Sequence, residues 1–327
     1  PVVAGEEAGA RYYTVEENGS GDFSTIQGAI DRIPKDFDGL FVIYIGEGRY
    51  REKLFLERSN ILLCGAGREK TIIEFAELRK NWLKKNPNDY GSAVINIQEH
   101  ISDIIVRSVT VINDYGKLYG DNDHAFAIRG FNGTTRIILD DCAVISHGGD
   151  TVSLWNTEDG MYYHTNCHFE GWVDYVCPRG YCLVENSTFY GFNLTASIWH
   201  DGSKKEDHKF VIKNSTFDGV KNFPLGRFHR NAQFFLIDCT FSENMADKSV
   251  FFAPSNPPRT LQWGTDRIYF SNCKTKGKEL KWIADNLELS KEKPAAGDIT
   301  PEWVFKNLWN PVQVLSDAKK LQAELRN

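Results

Sequence analysis

The sequence predicts an all-β fold, a right-handed parallel β-helix that forms one domain over residues 1–327. Three observations predict it. A short motif recurs six times through the middle of the chain, strand-like runs separate the repeats, and helical patterns are confined to the two ends. No linker divides the chain. Recurrence every 20–50 residues is typical of stacked architectures in which each unit is completed by its neighbours.

The recurring motif is an Asn or Asp followed by a small Cys or Ser. The small residues of successive motifs lie 25, 20, 28, 24 and 34 positions apart. We expect the Asn and Asp side chains to form a hydrogen-bonded ladder along the coil, with Cys, Ser and a following Phe packed inward. The six copies are Asp141-Cys142, Asn166-Cys167, Asn186-Ser187, Asn214-Ser215, Asp238-Cys239 and Asn272-Cys273.

The segments before the motif predict strands and not helices. Residues 136–139 (RIIL), 210–213 (FVIK) and 234–237 (FFLI) are short and rich in β-branched or aromatic residues, without the three- and four-residue spacing of a helix. A strand repeat of this length predicts turns of a coil, with neighbouring rungs about 4.8 Å apart.

Helices are predicted only as covers for the ends of the coil. Residues 24–33 place Ile26, Ala29, Ile30 and Ile33 at helical spacing, and Pro34 stops the helix. A helical C-terminal tail is expected over about 300–327, beginning at Thr300-Pro301. Its second helix, 312–325, is amphipathic and is expected to pack on the coil.

Composition excludes several classes of function. The net charge is −6, which argues against a nucleic-acid partner, because nucleic-acid binding depends on clustered Lys and Arg. The sequence contains no run of about 18 apolar residues, so it predicts no membrane span. The seven cysteines include no C-x-x-C pair, so no zinc or thioredoxin-type motif is present. We expect a monomer.

Polar residues interrupt the repeat at two neighbouring rungs. Asp150 lies eight residues after Cys142, and Asp174 lies seven after Cys167. Consecutive rungs should therefore bring the two carboxylates to the same side of the coil, about one rung apart. Two close carboxylates cannot both ionise cheaply, so such a pair can supply an acid and a nucleophile or base at one pH.

Four segments resemble motifs of the pectin methylesterase family, whose members are parallel β-helices of the pectin-lyase-like type. The resemblance extends from about Tyr13 to Gly277. Residues 19–26 (GSGDFSTI) resemble the family's opening motif, and 48–52 (GRYRE) resemble its G-x-Y-x-E turn. Residues 171–176 (GWVDYV) and 225–227 (LGR) resemble the segments that carry its nucleophilic aspartate and its arginine.

The resemblance implies a role for each matched residue. Asp174 would be the nucleophile, Asp150 the general acid and base, and Arg227 the group that holds Asp174 ionised. The activity implied is hydrolysis of galacturonate methyl esters in a pectic polysaccharide, without a metal or organic cofactor. It also implies a secreted or periplasmic location. The chain departs from the family at Gly149 and His124, where glutamines stabilise the oxyanion, so we expect His124 to replace one such donor.

Aromatic and histidine side chains near the carboxylates are the candidates for binding the substrate. Trp rings stack on sugars but also fill cores, so each assignment competes with simple packing. His147 is a second possible substitute for a missing glutamine. At Phe228-His229 the family usually has Pro-Trp, which predicts an altered sugar platform. The full set comprises Trp155, Trp172, Trp199, Trp263, Phe228, His229 and His147.

Two other classes of function stay open on the sequence. Residues 146–148 (SHG) faintly resemble a polygalacturonase motif, although the adjacent aspartates of that glycoside hydrolase family are missing. A carbohydrate-binding β-helix without catalysis is favoured by the missing glutamines and opposed by the retained Asp150, Asp174 and Arg227. Methanol release, new reducing ends, or binding alone would distinguish an esterase, a hydrolase and a binding protein.

Overall fold

The computed structural model describes residues 9–327, and 27 strands and five α-helices lie in that range. In chain order the strands are β1 (Tyr12–Val15), β2 (Phe41–Ile45), β3 (Gly48–Tyr50), β4 (Leu54–Leu56), β5 (Ile61–Gly65), β6 (Thr71–Phe75), β7 (Ile95–Ile97), β8 (Ser102–Arg107), β9 (Thr110–Asn113), β10 (Ile128–Gly130), β11 (Thr135–Asp140), β12 (Ala143–Ser146), β13 (Val152–Leu154), β14 (Met161–Thr165), β15 (His168–Gly171), β16 (Val176–Pro178), β17 (Tyr181–Glu185), β18 (Thr188–Gly191), β19 (Ile198–Trp199), β20 (Lys209–Lys213), β21 (Thr216–Gly219), β22 (Gly226–Phe228), β23 (Phe234–Ile237), β24 (Thr240–Phe241), β25 (Phe251–Phe252), β26 (Ile268–Ser271) and β27 (Lys274–Thr275). The helices are α1 (Ile26–Asp31), α2 (Arg79–Trp82), α3 (Tyr115–Tyr119), α4 (Pro301–Val304) and α5 (Pro311–Leu325), and two 3₁₀ turns span Leu287–Leu289 and Ala296–Asp298.

The strands form three parallel sheets that run the length of a right-handed coil, as the repeat predicts. Sheet A has ten strands, from β1 and β2 through β11, β14 and β17 to β26. Sheet B has nine strands, including β12, β15 and β18, and sheet C has eight, including β10, β13, β16, β19 and β22. Each complete turn of the coil contributes one strand to every sheet, so residues one turn apart lie in register.

The recurring Asn or Asp occupies the turn from sheet A to sheet B. All six of these residues have a positive φ, between 47° and 55°. Asn and Asp tolerate this left-handed conformation better than other residues with a side chain, which explains their recurrence. Neighbours in the column also bond to each other: Asn214 Nδ2 donates to Asn186 Oδ1, and Asn272 Nδ2 to Asp238 Oδ1, both at 2.6 Å.

The phenylalanine that follows the motif builds the core of the coil. Phe169, Phe189, Phe217 and Phe241 occupy equivalent positions of sheet B and are at most 1% exposed. The rings of Phe189 and Phe217 are nearly parallel, with centroids 4.3 Å apart. Each rung therefore places one ring above the previous one, and the apolar core is continuous along the axis.

The helices α1, α4 and α5 lie where the sequence predicts helices, whereas the sequence did not predict the short α2 and α3 in the middle of the chain. Thr25 caps α1 by accepting a hydrogen bond from the backbone N–H of Gly28, and Thr300 caps α4 in the same way through Trp303. The α5 helix packs through Leu315 and Ala318 on the outer face of sheet A. Among residues 9–327 no helix is both long and apolar enough to cross a membrane.

The cysteines serve as small core residues. None of the seven forms a disulfide, including Cys177 and Cys182, and all seven lie in the described range. Cys142, Cys167 and Cys239 are at most 2% exposed, and each places its Sγ against backbone carbonyls of its own and the preceding rung. Cys therefore replaces Ser in the motif as a compact buried side chain.

Candidate active site

Asp150 and Asp174 occupy equivalent positions on adjacent rungs. Each lies two residues before a strand of sheet C, and the residues that begin those strands, Val152 and Val176, are paired. The backbone N–H of Asp150 donates to the carbonyl oxygen of Val173 at 3.0 Å. Both aspartates have a positive φ, 60° and 48°. The turn from sheet B to sheet C thus projects both carboxylates from the same place, about 4.8 Å apart along the axis.

Arg227 binds one member of the pair. It lies in β22, two rungs beyond Asp174, and its Nη2 donates to Asp174 Oδ2 at 2.7 Å while its Nε donates to Oδ1 at 3.1 Å. This is a two-pronged contact, which fixes the orientation of the carboxylate as well as its charge. Burial disfavours the charge on Arg227, but the hydrogen bond to Asp174 and the negative charges of Asp174 and Asp150 together outweigh it, so the pKa of Arg227 is raised overall.

Asp150 has the opposite environment. The residue is 4% exposed, and its Oδ1 is buried without a hydrogen-bond partner among the described residues. Burial raises the pKa of Asp150 to about 6 from its ordinary 3.8; the charge of Asp174 adds to the rise, and positive charges at His124, Arg179 and Arg129 oppose it. Asp150 therefore holds a proton in weakly acidic solution.

His124 is the group nearest to the unpartnered oxygen. Its Nε2 lies 3.8 Å from Asp150 Oδ1, and its Nδ1 lies 2.8 Å from Asp123 Oδ1. His124 also forms a parallel bridge with Gly149. A side chain added at Gly149 would meet Val173 at 3.2 Å and the His124 ring at 3.8 Å. The two departures from the family pattern are thus adjacent, and the imidazole lies beside the space that Gly149 leaves.

Two buried arginines, which the sequence analysis did not single out, border the site. Arg129 is 4% exposed, and its Nη1 donates to Ser153 Oγ at 2.8 Å. Arg179 is 3% exposed and donates from Nη1 to the carbonyl oxygen of Cys177 at 3.1 Å. A charged residue inside an apolar strand run, as in residues 125–130 (AFAIRG), is the signal that could have identified Arg129.

The predicted sugar platform at Trp155 is covered by these arginines. The guanidinium of Arg129 lies 4.6 Å from the Trp155 ring centre, and that of Arg179 lies 4.4 Å from it. Arg129 belongs to the strand on one side of β13 and Arg179 follows the strand on the other side, so the cations cover opposite faces of the ring. Trp155 is 39% exposed although two guanidiniums lie on its ring. Edge contact, and not face stacking, is what it offers a sugar.

Trp199 and His229 continue this row. The guanidinium of Arg179 lies 4.2 Å from the Trp199 ring centre, and the His229 ring meets Trp199 edge-to-face at 5.4 Å. Trp199 is paired with Arg227 across adjacent strands. The row Arg129, Trp155, Arg179, Trp199 and His229 therefore lies along sheet C beside Arg227, and we call it the groove wall.

The remaining aromatic candidates are distributed differently. Trp172 is half-buried in the same turn as Asp174. His147 stacks on Phe192 with ring centres 4.9 Å apart, and burial lowers its pKa. The histidine next to Asp150 is His124. Trp263 packs near Arg267, 5.4 Å from its guanidinium, at the turn from sheet C to sheet A.

The prediction that Phe228 binds the substrate is wrong. Phe228 is 2% exposed and packs on Phe234 and Phe252 inside the coil. Successive residues of a strand point to opposite faces of the sheet. Because Arg227 points outward to Asp174, its neighbour must point into the core.

The described part of the chain contains no group of three or more His, Cys, Asp or Glu residues placed to hold a metal ion. The chemistry available to the site comes from the carboxyl pair, the guanidinium on Asp174 and the imidazole beside Asp150. This set can supply a charged nucleophile, a protonated acid and a hydrogen-bond donor.

Comparison with known proteins shows which family the chain is similar to. The pectinesterase family profile matches residues 12–221. Probable pectinesterase 55 of Arabidopsis thaliana is 28% identical over 231 residues, 66% of each chain, and Arabidopsis pectinesterase 4 is 29% identical over 56% of this chain and 30% of its own length. The matched region thus spans less than two thirds of these curated relatives.

The fold is shared along almost the whole chain with solved structures. Pectin methylesterase PemA from Erwinia chrysanthemi superimposes with a TM-score of 0.71 and 20% identity over 93% of this chain and 99% of its own. Pectin methylesterase from carrot gives a TM-score of 0.66 and 19% identity, over 84% and 86%. The overall fold matches that of these proteins, and the profile covers well over half of the residues. The chain belongs to the pectinesterase family.

Proposed function

We propose that the protein is a carboxylic ester hydrolase that removes methyl esters from galacturonate residues of a pectic polysaccharide and releases methanol. The observation that carries this proposal is the asymmetry of the carboxyl pair. Asp174 is held by a two-pronged hydrogen bond from Arg227, while Asp150 is buried and retains a proton up to a pKa of about 6. Family membership supports it, and one structural neighbour is a pectin methylesterase solved with a hexasaccharide.

Asp174 attacks the ester in the first half of the reaction. One carboxylate oxygen bonds to the carbonyl carbon and forms a tetrahedral intermediate. The bond to the methoxy oxygen then breaks, and that oxygen takes the proton of Asp150, so methanol leaves. An acyl-enzyme anhydride on Asp174 and an ionised Asp150 remain. This division of roles requires one charged and one protonated carboxyl at the same pH.

Water completes the reaction. Ionised Asp150 takes one proton of a water molecule, and the resulting hydroxide adds to the acyl carbon of the anhydride. The bond to Asp174 breaks, which returns Asp174 to the ionised form that Arg227 stabilises. Asp150 is again protonated, and the new galacturonic acid loses its proton to solvent. Every step uses side chains of the chain itself.

His124 is the donor that we propose for the developing oxyanion. Asp150 and Gly149 lie on the rung next to His124, so an ester carbonyl held at Asp174 would lie within reach of the imidazole. One such donor is worth about 10²–10³ in rate. A His124→Ala variant should lose activity by that order while it keeps its affinity for the polysaccharide. An unchanged turnover rate would remove His124 from the mechanism.

The substrate that we propose is the methylated, uncharged form of the polymer. A chain with net charge −6 repels a polyanion and does not repel a neutral methyl ester. Product with free carboxylates is then held less strongly than substrate. Because pectic polysaccharides are cell-wall polymers, we also propose an extracellular or periplasmic site of action.

Methanol release from methylated pectin by Asp174→Asn tests the proposal. The amide keeps the shape of the carboxylate but cannot form the anhydride, so the rate should fall by at least about 10³. Asp218→Asn is the matched control, since Asp218 is an exposed aspartate of sheet B, and it should keep the parent's rate.

The products formed from pectin distinguish an esterase from the other classes of protein. Methanol release retained by folded Asp174→Asn would contradict the mechanism. New reducing ends from the parent protein would indicate a glycoside hydrolase, and absorbance of an unsaturated uronate would indicate a lyase. Binding of pectin by the parent without any product would indicate a carbohydrate-binding protein.

A further inference from the structure

The imidazole of His124 connects the buried carboxyl of Asp150 with solvent. The side chain of His124 is 44% exposed, while that of Asp150 is 6% exposed. The Oδ1 atom of Asp150 is buried and has no hydrogen-bond partner in residues 9–327. His124 Nε2, at 3.8 Å, is the ionisable nitrogen that faces this atom. A proton that enters or leaves Oδ1 therefore has the imidazole as its nearest carrier.

Asp123 determines which nitrogen of His124 carries the hydrogen. Its Oδ1 lies 2.8 Å from Nδ1 and also accepts the backbone N–H of His124 at 2.7 Å. An ionised carboxylate can only accept hydrogen bonds, so Nδ1 must be the protonated nitrogen. The neutral ring then presents the lone pair of Nε2 to Asp150. Nε2 can donate a hydrogen bond to an oxyanion only when the ring is a charged imidazolium.

The charges around His124 keep this arrangement in place. The hydrogen bonds from His124 lower the pKa of Asp123, so this carboxylate stays ionised in neutral solution. Lys80 lies behind it, with Nζ 3.6 Å from Asp123 and 2.6 Å from Asp121. On the other side, the groups that act on Asp150 are Asp174, Arg179 and Arg129. The imidazole thus lies between an ionised carboxylate and a carboxyl that exchanges its proton.

We propose that Asp123 positions His124 as a proton relay for Asp150, which couples the reaction to the charge state of His124. This inference rests on the proposed function of the site. Between turnovers, when the two side chains close from 3.8 Å to hydrogen-bond distance, the proton moves from Oδ1 of Asp150 to Nε2 of His124 and from there to water, or in reverse. The Nδ1 hydrogen stays on His124 and is hydrogen-bonded to Asp123. The O–H bond of Asp150 breaks as the N–H bond at Nε2 of His124 forms, and the step needs no other reactant.

The relay predicts a specific effect of the charge on Asp123. The negative charge of Asp123 lies 2.8 Å from the imidazole and stabilises a positive charge on the ring. Asp123→Asn keeps an oxygen that accepts from Nδ1 but removes the charge. We expect the alkaline limb of kcat/KM to move to lower pH by about 1 unit, so that activity falls about tenfold above the limb and stays within about twofold below it.

A double-mutant comparison separates the relay from a general field effect. In His124→Gln the side chain can donate a hydrogen bond but cannot carry a proton, so adding Asp123→Asn should no longer move the limb. An equal displacement in both backgrounds would overturn the relay, and so would an unmoved limb in Asp123→Asn alone. Asp121→Asn is the matched control: it removes the same charge from the same loop and keeps the oxygen that accepts the Asp123 N–H.

Imidazole nitrogen NMR tests the relay without any turnover. In the parent, His124 should show the form protonated at Nδ1 when neutral, and Asp123→Ala should convert it to a mixture of the two forms. A parent already mixed, or protonated at Nε2, would overturn the positioning role of Asp123. If no pectin is de-esterified while the NMR result holds, the proposed function fails and the positioning of His124 stands.

Discussion

Replacement of Asp150 by Asn should stabilise the protein in alkaline solution and hardly change it in acid. The pKa of Asp150 is raised to about 6 from an ordinary 3.8, because the carboxyl is buried. The folded state therefore binds this proton more tightly than the unfolded chain does. Below pH 3.8 the carboxyl imposes no penalty, and the penalty grows with pH until the folded protein also loses the proton above about 6.

The full penalty follows from the difference between the two pKa values. At 1.36 kcal/mol per unit, a rise from 3.8 to about 6 corresponds to about 3 kcal/mol. Asn has the same shape and no charge, so Asp150→Asn should raise the free energy of unfolding by about 3 kcal/mol at pH 8. At pH 4 most of the Asp150 carboxyl is protonated in the native state of the parent. The same substitution should therefore raise the free energy of unfolding by only about 0.5 kcal/mol at that pH.

Urea denaturation of parent and variant at both pH values measures this difference. All other ionisable groups are common to the two proteins, so their contributions cancel in the comparison. Asp121→Asn, at the surface, should show a much smaller dependence on pH. A gain for Asp150→Asn that is the same at pH 4 and pH 8 would refute the assignment of a buried, proton-holding carboxyl.

Three further substitutions test the groove and the core. Arg227→Lys keeps the positive charge but loses the two-pronged contact with Asp174, so methanol release should fall about 10²-fold without a similar change in KM. Trp155→Ala removes a ring that two guanidiniums cover, so the thermal midpoint should fall while KM for pectin rises less than about threefold. Phe189→Ala opens a cavity beside Phe217 and should lower the free energy of unfolding, measured by urea denaturation, by about 3–5 kcal/mol. A loss below about 1 kcal/mol would contradict the stacked core.

The coil could be predicted from the sequence because its turn has a demanding backbone geometry. Six Asn or Asp residues recur where φ is positive, and residues that tolerate this conformation are few. The steps between repeats vary from 20 to 34, yet the strands stay in register, since loops between the sheets absorb the extra residues. A conformational requirement at one position therefore marks each rung even when the period is irregular.

The two aspartates could be paired from the sequence for a related reason. Asp150 and Asp174 differ by one residue in their distance from the repeat motif, but both lie two residues before paired positions of sheet C. The extra residue lies in the turn between Ser146 and Asp150, outside the strands. Strand pairing, and not distance along the chain, decides which side chains meet.

The groove wall could not be predicted, because it depends on contacts between three separate rungs. Arg129, Trp155 and Arg179 lie 26 and 24 residues apart, and their alternation of cation and ring appears only after the strands are aligned. The position of Phe228 was within reach of the sequence. Strand alternation places it opposite to Arg227, and any assignment of Arg227 to the groove requires Phe228 to face the core.

The roles of the two carboxyls follow from their neighbours and not from their own geometry. Asp150 and Asp174 share the same turn, the same left-handed backbone and the same low exposure. One receives a guanidinium at 2.7 Å, and the other faces an imidazole at 3.8 Å that is too distant for a hydrogen bond. A repeating coil produces equivalent positions, so a single arginine from a later rung suffices to give them different environments, and the roles of nucleophile and acid that we propose depend on that difference.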